Sequence, residues 1–220
     1  MPRFFLIFCC LSLLVFQSGC ASPATQKAAS ARFLDRLAAK QMDSAEPENL
    51  MLCHGHGCRL QSPVTLSKKQ WNKVKAAFRP RANTAEKERK QIAKAFALLE
   101  EYAGAQTGTD ADQGGTFEAA FLKGQMDCQD ESMNAGMYFL LLKNQKLIRR
   151  HSLYGEAHRG FFLNGWPHRA LEIYDDKTEE RYVLDSWYHD NGFPAEIIPA
   201  KDWHDGWRPE EIKKKKPAPQ

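Results

Sequence analysis

Gly124-Gln125-Met126-Asp127-Cys128-Gln129-Asp130-Glu131-Ser132 leads into the run Met133 to Leu142. Apolar residues at Met133, Met137, Leu140 and Leu141 recur at helical spacing, so a helix is predicted to open close to Cys128. Glycines at 114, 115 and 124 let the chain approach that opening closely. A thiol in the first turn of a helix lies near the positive end of the macrodipole and near unpaired backbone N–H groups. Both favour thiolate, and both can stabilise an oxyanion. For one cysteine taken alone, a buried core position is the ordinary alternative.

Downstream the pattern changes from helical to alternating. His151 to His158, His168 to Tyr174 and Glu180 to Trp187 are rich in aromatic and branched residues and are separated by turn residues, so they read as strands. Helices followed by an antiparallel sheet predict an α+β domain. Asp175-Asp176-Lys177-Thr178 is expected to be the turn of a hairpin. With Tyr174 opposite Glu179, Glu172 faces Arg181, Ala170 faces Val183 and His168 faces Asp185. The central charge pair favours this register. An aspartate beside a histidine holds the imidazole tautomer, and an imidazole can take a thiol proton. Cys128, His168 and Asp185 therefore form a candidate nucleophile, base and orienter.

Upstream, Ser67 to Phe78 reads as a surface helix with Trp71, Val74 and Phe78 on one face, stopped by Pro80. A second helix is expected from an Asn83 N-cap with Glu86 completing a capping box, through Ile92, Phe96, Leu99 and Ala103 to Gly104. Thr107 to Thr116 is a polar loop without EF-hand or P-loop spacing, expected to let the backbone approach the Cys128 region.

The ends of the chain bear on compartment. Met1 to Cys20 has one arginine, an apolar run from Phe4 to Phe16, then Gln17-Ser18-Gly19-Cys20. That run is too short for a finished transmembrane helix and reads as a secretory leader over residues 1–19. Ser18-Gly19-Cys20 resembles the end of a bacterial lipoprotein box, with Gln17 where an aliphatic residue is usual. The resemblance implies lipid on Cys20, and Ala21 after it implies the outer membrane. Residues 20–49 are then a lipid-linked tether, 50–208 a single domain and 209–220 a disordered basic tail.

With Cys9 and Cys10 in the leader and Cys20 lipidated, Cys53, Cys58 and Cys128 remain. In an oxidising compartment Cys53 and Cys58 are expected to pair across the glycine-rich CHGHGC loop, leaving Cys128 as the free thiol. The formal charge of +4 comes from 31 basic and 27 acidic residues, and Lys213 to Lys216 alone equal the excess. No nucleic-acid motif accompanies it, so no nucleic-acid partner is expected.

Cysteine opening a helix, histidine starting a strand (Pro167-His168-Arg169-Ala170-Leu171-Glu172-Ile173) and aspartate ending the next (Tyr182-Val183-Leu184-Asp185-Ser186-Trp187) resembles the transglutaminase-like branch of the papain fold. The resemblance covers Gly124 to Trp187, less than a third of the chain. Within that branch, Asp127-Cys128-Gln129-Asp130 is similar to the Asp-Cys-Glu-Asp stretch of bacterial transglutaminase-like periplasmic cysteine proteinases, with Gln129 replacing the glutamate. The CHGHGC loop and Asp190-Asn191-Gly192 lie outside that pattern. The resemblance implies helices packed on an antiparallel sheet in a papain/transglutaminase-like core, and thiol acyl-transfer chemistry.

The expected activity is that of an envelope thiol hydrolase or acyltransferase on peptide or isopeptide bonds of a protein or peptide substrate. Cys128 N–H, with Gln125, would hold the oxyanion, and no cofactor is expected. Two other readings compete with it. One is an envelope lipoprotein that uses the fold as a binding module; the other is a metal site built from Cys128, His168 and Asp185 or from the Cys53 loop.

Overall fold

The computed structural model describes residues 23–115, 122–160 and 167–210. The leader, Cys20, Thr116 and the tail beyond 210 lie outside the described residues. The order of elements is α1 (Pro23–Ala39), β1 (Leu50–His54), β2 (Leu60–Val64), α2 (Lys68–Ala76), α3 (Ala85–Thr107), α4 (Cys128–Asn144), β3 (His151–Arg159), β4 (His168–Asp175), β5 (Arg181–Asp185), β6 (Glu196–Pro199) and α5 (Ala200–His204). Strands β1 and β2 form an antiparallel hairpin, while β3 to β6 form an antiparallel meander in chain order. The chain is α+β, as the switch in periodicity predicts.

Side-chain alternation divides the meander into two faces. Leu171, Ile173, Tyr182 and Leu184 join the main core with Met133, Met137 and Leu141 of α4 and Phe96 and Leu99 of α3. Ala157, Ala170 and Val183 point the other way, onto Ala200 and Trp203 of α5. Helix α4 is thus covered on several sides, and nearly every residue from Asp130 to Leu142 is buried. Among its buried polar residues, Asn134 is satisfied by the β1 backbone: Oδ1 accepts Cys53 N–H at 2.8 Å and Nδ2 donates to Cys53 O at 2.9 Å.

The tether expected over 20–49 is not what residues 23–49 form. Phe33, Leu37, Met42 and Ala45 are buried in the main core, and α1 lies across β3 and α4. The approach to α4 is close: a Cβ added at Gly136 would lie 2.5 Å from Phe33 Cε1. In the sequence, Phe33, Leu34 and Leu37 form only a weak apolar patch, which is the trace this packing leaves there. Only the glycine on the facing helix makes room for it.

Helix α3 is also displaced from its predicted start. Thr84, not Asn83, is the N-cap, its hydroxyl accepting Lys87 N–H at 3.2 Å. Glu86 instead pairs with Lys90 one turn on. Glu88 turns inward, accepting Arg149 N–H, Arg150 N–H and His151 Nδ1–H at 3.0, 2.8 and 2.9 Å. The helix continues past Gly104 and ends at Gly108, whose φ of 75° provides the left-handed cap.

The β4–β5 hairpin has a different register from the expected one. Tyr174 pairs with Arg181, Glu172 with Val183 and Leu171 with Leu184. The turn lies one residue later because Asp175 ends the strand and caps the turn: its Oδ1 accepts Lys177 N–H at 2.8 Å and Thr178 N–H at 3.3 Å. Moving the turn by one residue moves the pairing by two, which preserves the faces. Arg181 and Glu172 still approach to 3.3 Å, as a diagonal pair. Their charges were compatible with either register.

Candidate active site

Cys128 is the first residue of α4. Asp127 precedes it as N-cap, its Oδ1 accepting Gln129 N–H at 3.1 Å and Asp130 N–H at 2.9 Å, while Asp130 Oδ2 accepts Asp127 N–H at 3.3 Å. This reciprocal capping box leaves the Cys128 N–H outside the capping bonds.

The same two carboxylates are gripped from outside by the CHGHGC loop. Cys53 and Cys58 are joined by a disulfide, as expected from their spacing. Between them Gly55, His56 and Gly57, with Cys58 itself, all adopt the left-handed conformation, with φ of 77°, 67°, 69° and 55°. Successive residues of this kind turn their N–H groups toward one side as an anion nest. His56 N–H and Cys58 N–H donate to the two oxygens of Asp130 at 2.8 and 2.6 Å, and Gly57 N–H donates to Asp127 Oδ2 at 2.9 Å. Gln129 Nε2 returns a bond to Gly57 O at 3.1 Å. The disulfide loop therefore fixes the start of α4. Sequence reading found the disulfide and missed the clamp, although the Asp-Cys-Gln-Asp spacing placed both carboxylates within one helical turn.

Gln125 has a different task from the expected oxyanion donor. Its Oε1 accepts Gln113 N–H at 3.1 Å and its Nε2 donates to Ala111 O at 2.8 Å, so its buried amide holds the 111–113 loop against the approach to α4. Asp112 in that loop accepts Met126 N–H at 2.8 Å. The glycine-rich loop does pack beside the Cys128 segment, through these two side chains.

At the start of β4, His168 is buried and its Nε2 lies 2.7 Å from Asp185 Oδ2. Trp203 Nε1 donates to the same oxygen at 2.7 Å. Trp187, Tyr188 and Trp203 surround the imidazole, with ring centroids 4.8, 5.8 and 5.5 Å away. Arg159 stacks over Trp203 at 4.3 Å and donates to the carbonyls of Trp203 and Trp207. The imidazole is therefore held from several sides. Its other nitrogen, Nδ1, is buried and has no hydrogen-bond partner among the described residues, so no hydrogen bond joins it to Cys128 sulfur in this arrangement.

The sulfur instead receives the backbone N–H of Arg169, the residue after His168. Burial pushes the Cys128 thiol up to about 11, and the charges of Asp127 and Asp185 add to the rise; the Arg169 N–H and guanidinium oppose it. This reverses the expected direction. Desolvation of a partly buried thiol, with the charges of Asp127 and Asp185, outweighs the helix terminus.

Behind the site lies a group of carboxyls the sequence did not reveal. Glu131 accepts the Ser186 hydroxyl, Glu100 is hydrogen-bonded to the same serine, and Asp112 is hydrogen-bonded to Glu131. Burial raises Glu100 to about 8, Asp112 to about 6 and Glu131 well above the carboxylate range; repulsion from Asp112 adds to Glu100, from Asp130 and Asp190 to Asp112, and from Glu100, Asp112 and Asp130 to Glu131. Shared protons let these groups coexist. In Glu156 of β3, burial acts to raise the carboxyl, but His158, Ser132 and Arg36 more than offset it and hold it at about 2.

Among the described residues, no group of three or more histidine, cysteine, aspartate and glutamate side chains is placed to hold a metal ion. No described helix is long and apolar enough to cross a membrane. No family model, curated protein or solved structure matches the chain.

Proposed function

We propose that this chain is a thiol acyl-transfer enzyme of the transglutaminase-like, papain-core type, acting as a hydrolase or acyltransferase on peptide or isopeptide bonds in the bacterial cell envelope. The observation that carries the reading is the state of His168: one ring nitrogen is bonded to Asp185 at 2.7 Å, and the other is buried without a partner among the described residues. A buried polar nitrogen left unpaired costs stability, and such groups gather where a reaction later supplies the partner. A structural histidine would more economically satisfy both nitrogens.

In the proposed reaction Asp185 accepts the Nε2–H of His168 and so leaves Nδ1 as the basic nitrogen. Cys128 rests as a thiol. Movement of the Cys128 side chain brings its S–H to Nδ1, the proton transfers, and the sulfur attacks the substrate carbonyl. The Cys128 N–H is the available oxyanion donor. His168 then protonates the leaving amine. Water completes hydrolysis of the thioester, releasing the acid and restoring the thiol; an amine in its place gives transfer. The apolar run of residues 4–16 and Ser18-Gly19-Cys20 support a lipid-anchored protein facing the periplasm at the outer membrane.

The test is an electrophilic peptide probe applied to the parent, Cys128→Ala and His168→Ala proteins. Labelling of the parent alone at neutral pH supports the enzyme. Equal labelling of parent and His168→Ala favours the second reading, a binding module. That reading draws on the high proton affinity of Cys128 and the missing sulfur–imidazole bond.

A further inference from the structure

Arg169 occupies a position that the proposed mechanism uses only through its backbone. Its N–H is spent on Cys128 sulfur, whereas alternation along β4 sends its side chain to the face opposite the His168 ring. That face also carries Glu156 and His158 of β3, and it meets Ser132 of α4 and Arg36 of α1. Glu156 is already fully served: Oε1 accepts the Ser132 hydroxyl at 2.7 Å, and Oε2 accepts Arg36 and lies 3.0 Å from His158 Nε2.

Arg169 lies 3.6 Å from Glu156 Oε2, too far for a hydrogen bond, and among the described residues its guanidinium donates none. About a third of the Arg169 side chain remains exposed, against 3% for Glu156. Two guanidinium groups thus face a single carboxylate. The less committed of the two belongs to the residue whose backbone N–H reaches the sulfur and whose charge acts on the thiol, and its five N–H donors are available.

We propose that Arg169 is the specificity-determining residue of this site, and that it binds a carboxylate carried by the acyl donor beside the attacked carbonyl. An acidic side chain and a peptide's terminal carboxylate share that chemistry, and a guanidinium fork suits either. The inference rests on Cys128 being the nucleophile. It is tested so that its failure can be told apart from failure of the thiol chemistry.

Full-length protein is alkylated with iodoacetate or iodoacetamide, and modification of the Cys128 peptide is followed by mass spectrometry. Dividing the anionic by the neutral rate cancels the thiolate fraction. The ratio should fall about tenfold in Arg169→Gln, the loss of one charge-assisted hydrogen bond, with thermal stability retained; Arg36→Gln should leave it nearly unchanged. An equal ratio in parent and Arg169→Gln, or an equal fall in Arg36→Gln, overturns the proposal. A thiol that is merely unreactive slows both reagents alike and leaves the ratio effect intact. Protection of Cys128 from iodoacetamide by a short peptide with an aspartate, or by one with a free C-terminus, then identifies the source. Equal protection by the corresponding amides also overturns the proposal.

Discussion

His168 and Asp185 are joined at 2.7 Å although they are not cross-strand partners. The ladder pairs Leu171 with Leu184, so its continuation sets Ala170 opposite Asp185 and leaves His168 on the diagonal. The contact survives because the two positions share a face and because Trp203, from α5, fixes the aspartate oxygen from a third direction. Trp203→Phe removes that N–H and retains most of the ring volume. It is expected to lower probe labelling about tenfold or more, the cost of one hydrogen bond to a charged group. Unchanged labelling in a folded Trp203→Phe protein would reduce the tryptophan to packing alone.

The resting thiol should titrate late. With Cys128 raised to about 11, alkylation of His168→Ala is expected to stay slow through neutral pH and to climb only in strongly alkaline solution. The parent should react faster than His168→Ala near neutral pH, because His168 Nδ1 takes the thiol proton. Iodoacetamide rates against pH for both proteins decide it, and two superimposed profiles would remove the histidine from the chemistry.

Helix α1 is part of the folded domain. Leu37 has no exposed surface, so Leu37→Ala should cost about 2–5 kcal/mol in denaturant unfolding. A helix serving only as a tether would give a change within experimental error.

The clamp between the disulfide loop and α4 should be equally measurable. Asp130 is fully buried and accepts the N–H groups of His56, Cys58 and Asp127. Asp130→Ala leaves these donors without an acceptor and is expected to cost at least about 2 kcal/mol. A near-neutral result would mean the loop reorganises without penalty.

Stability should peak at about pH 5, because two groups of carboxyls act in opposite senses. Glu100 has a folded-state value raised from 4.5 to about 8. Its contribution is complete below 4.5 and is lost as pH rises through about 8. Glu131 and Asp112 act in the same direction. Glu156, lowered to about 2, contributes above 4.5 and loses its effect as pH falls toward 2. Calorimetry from pH 5 to 9 should show the melting temperature falling by several degrees, with Glu100→Gln giving a flatter curve. A parent curve without slope over that range would contradict the assignment.

Several features were legible in the sequence itself. The helix starting at Cys128, the three strands around His168 and Asp185, and the Cys53–Cys58 pair follow from spacing within a few residues, which is where periodicity, capping and short-loop chemistry operate. Other features depended on groups distant along the chain. Asp175 decided the hairpin register through its turn bonds, since Glu172 and Arg181 could pair in two registers with the same faces. Phe33 became core only because Gly136, a hundred residues later, leaves room for its ring. The thiol shift is likewise a tertiary property. A helix terminus acts locally, whereas desolvation of Cys128 is the sum of everything packed around it, and only the folded chain decides that.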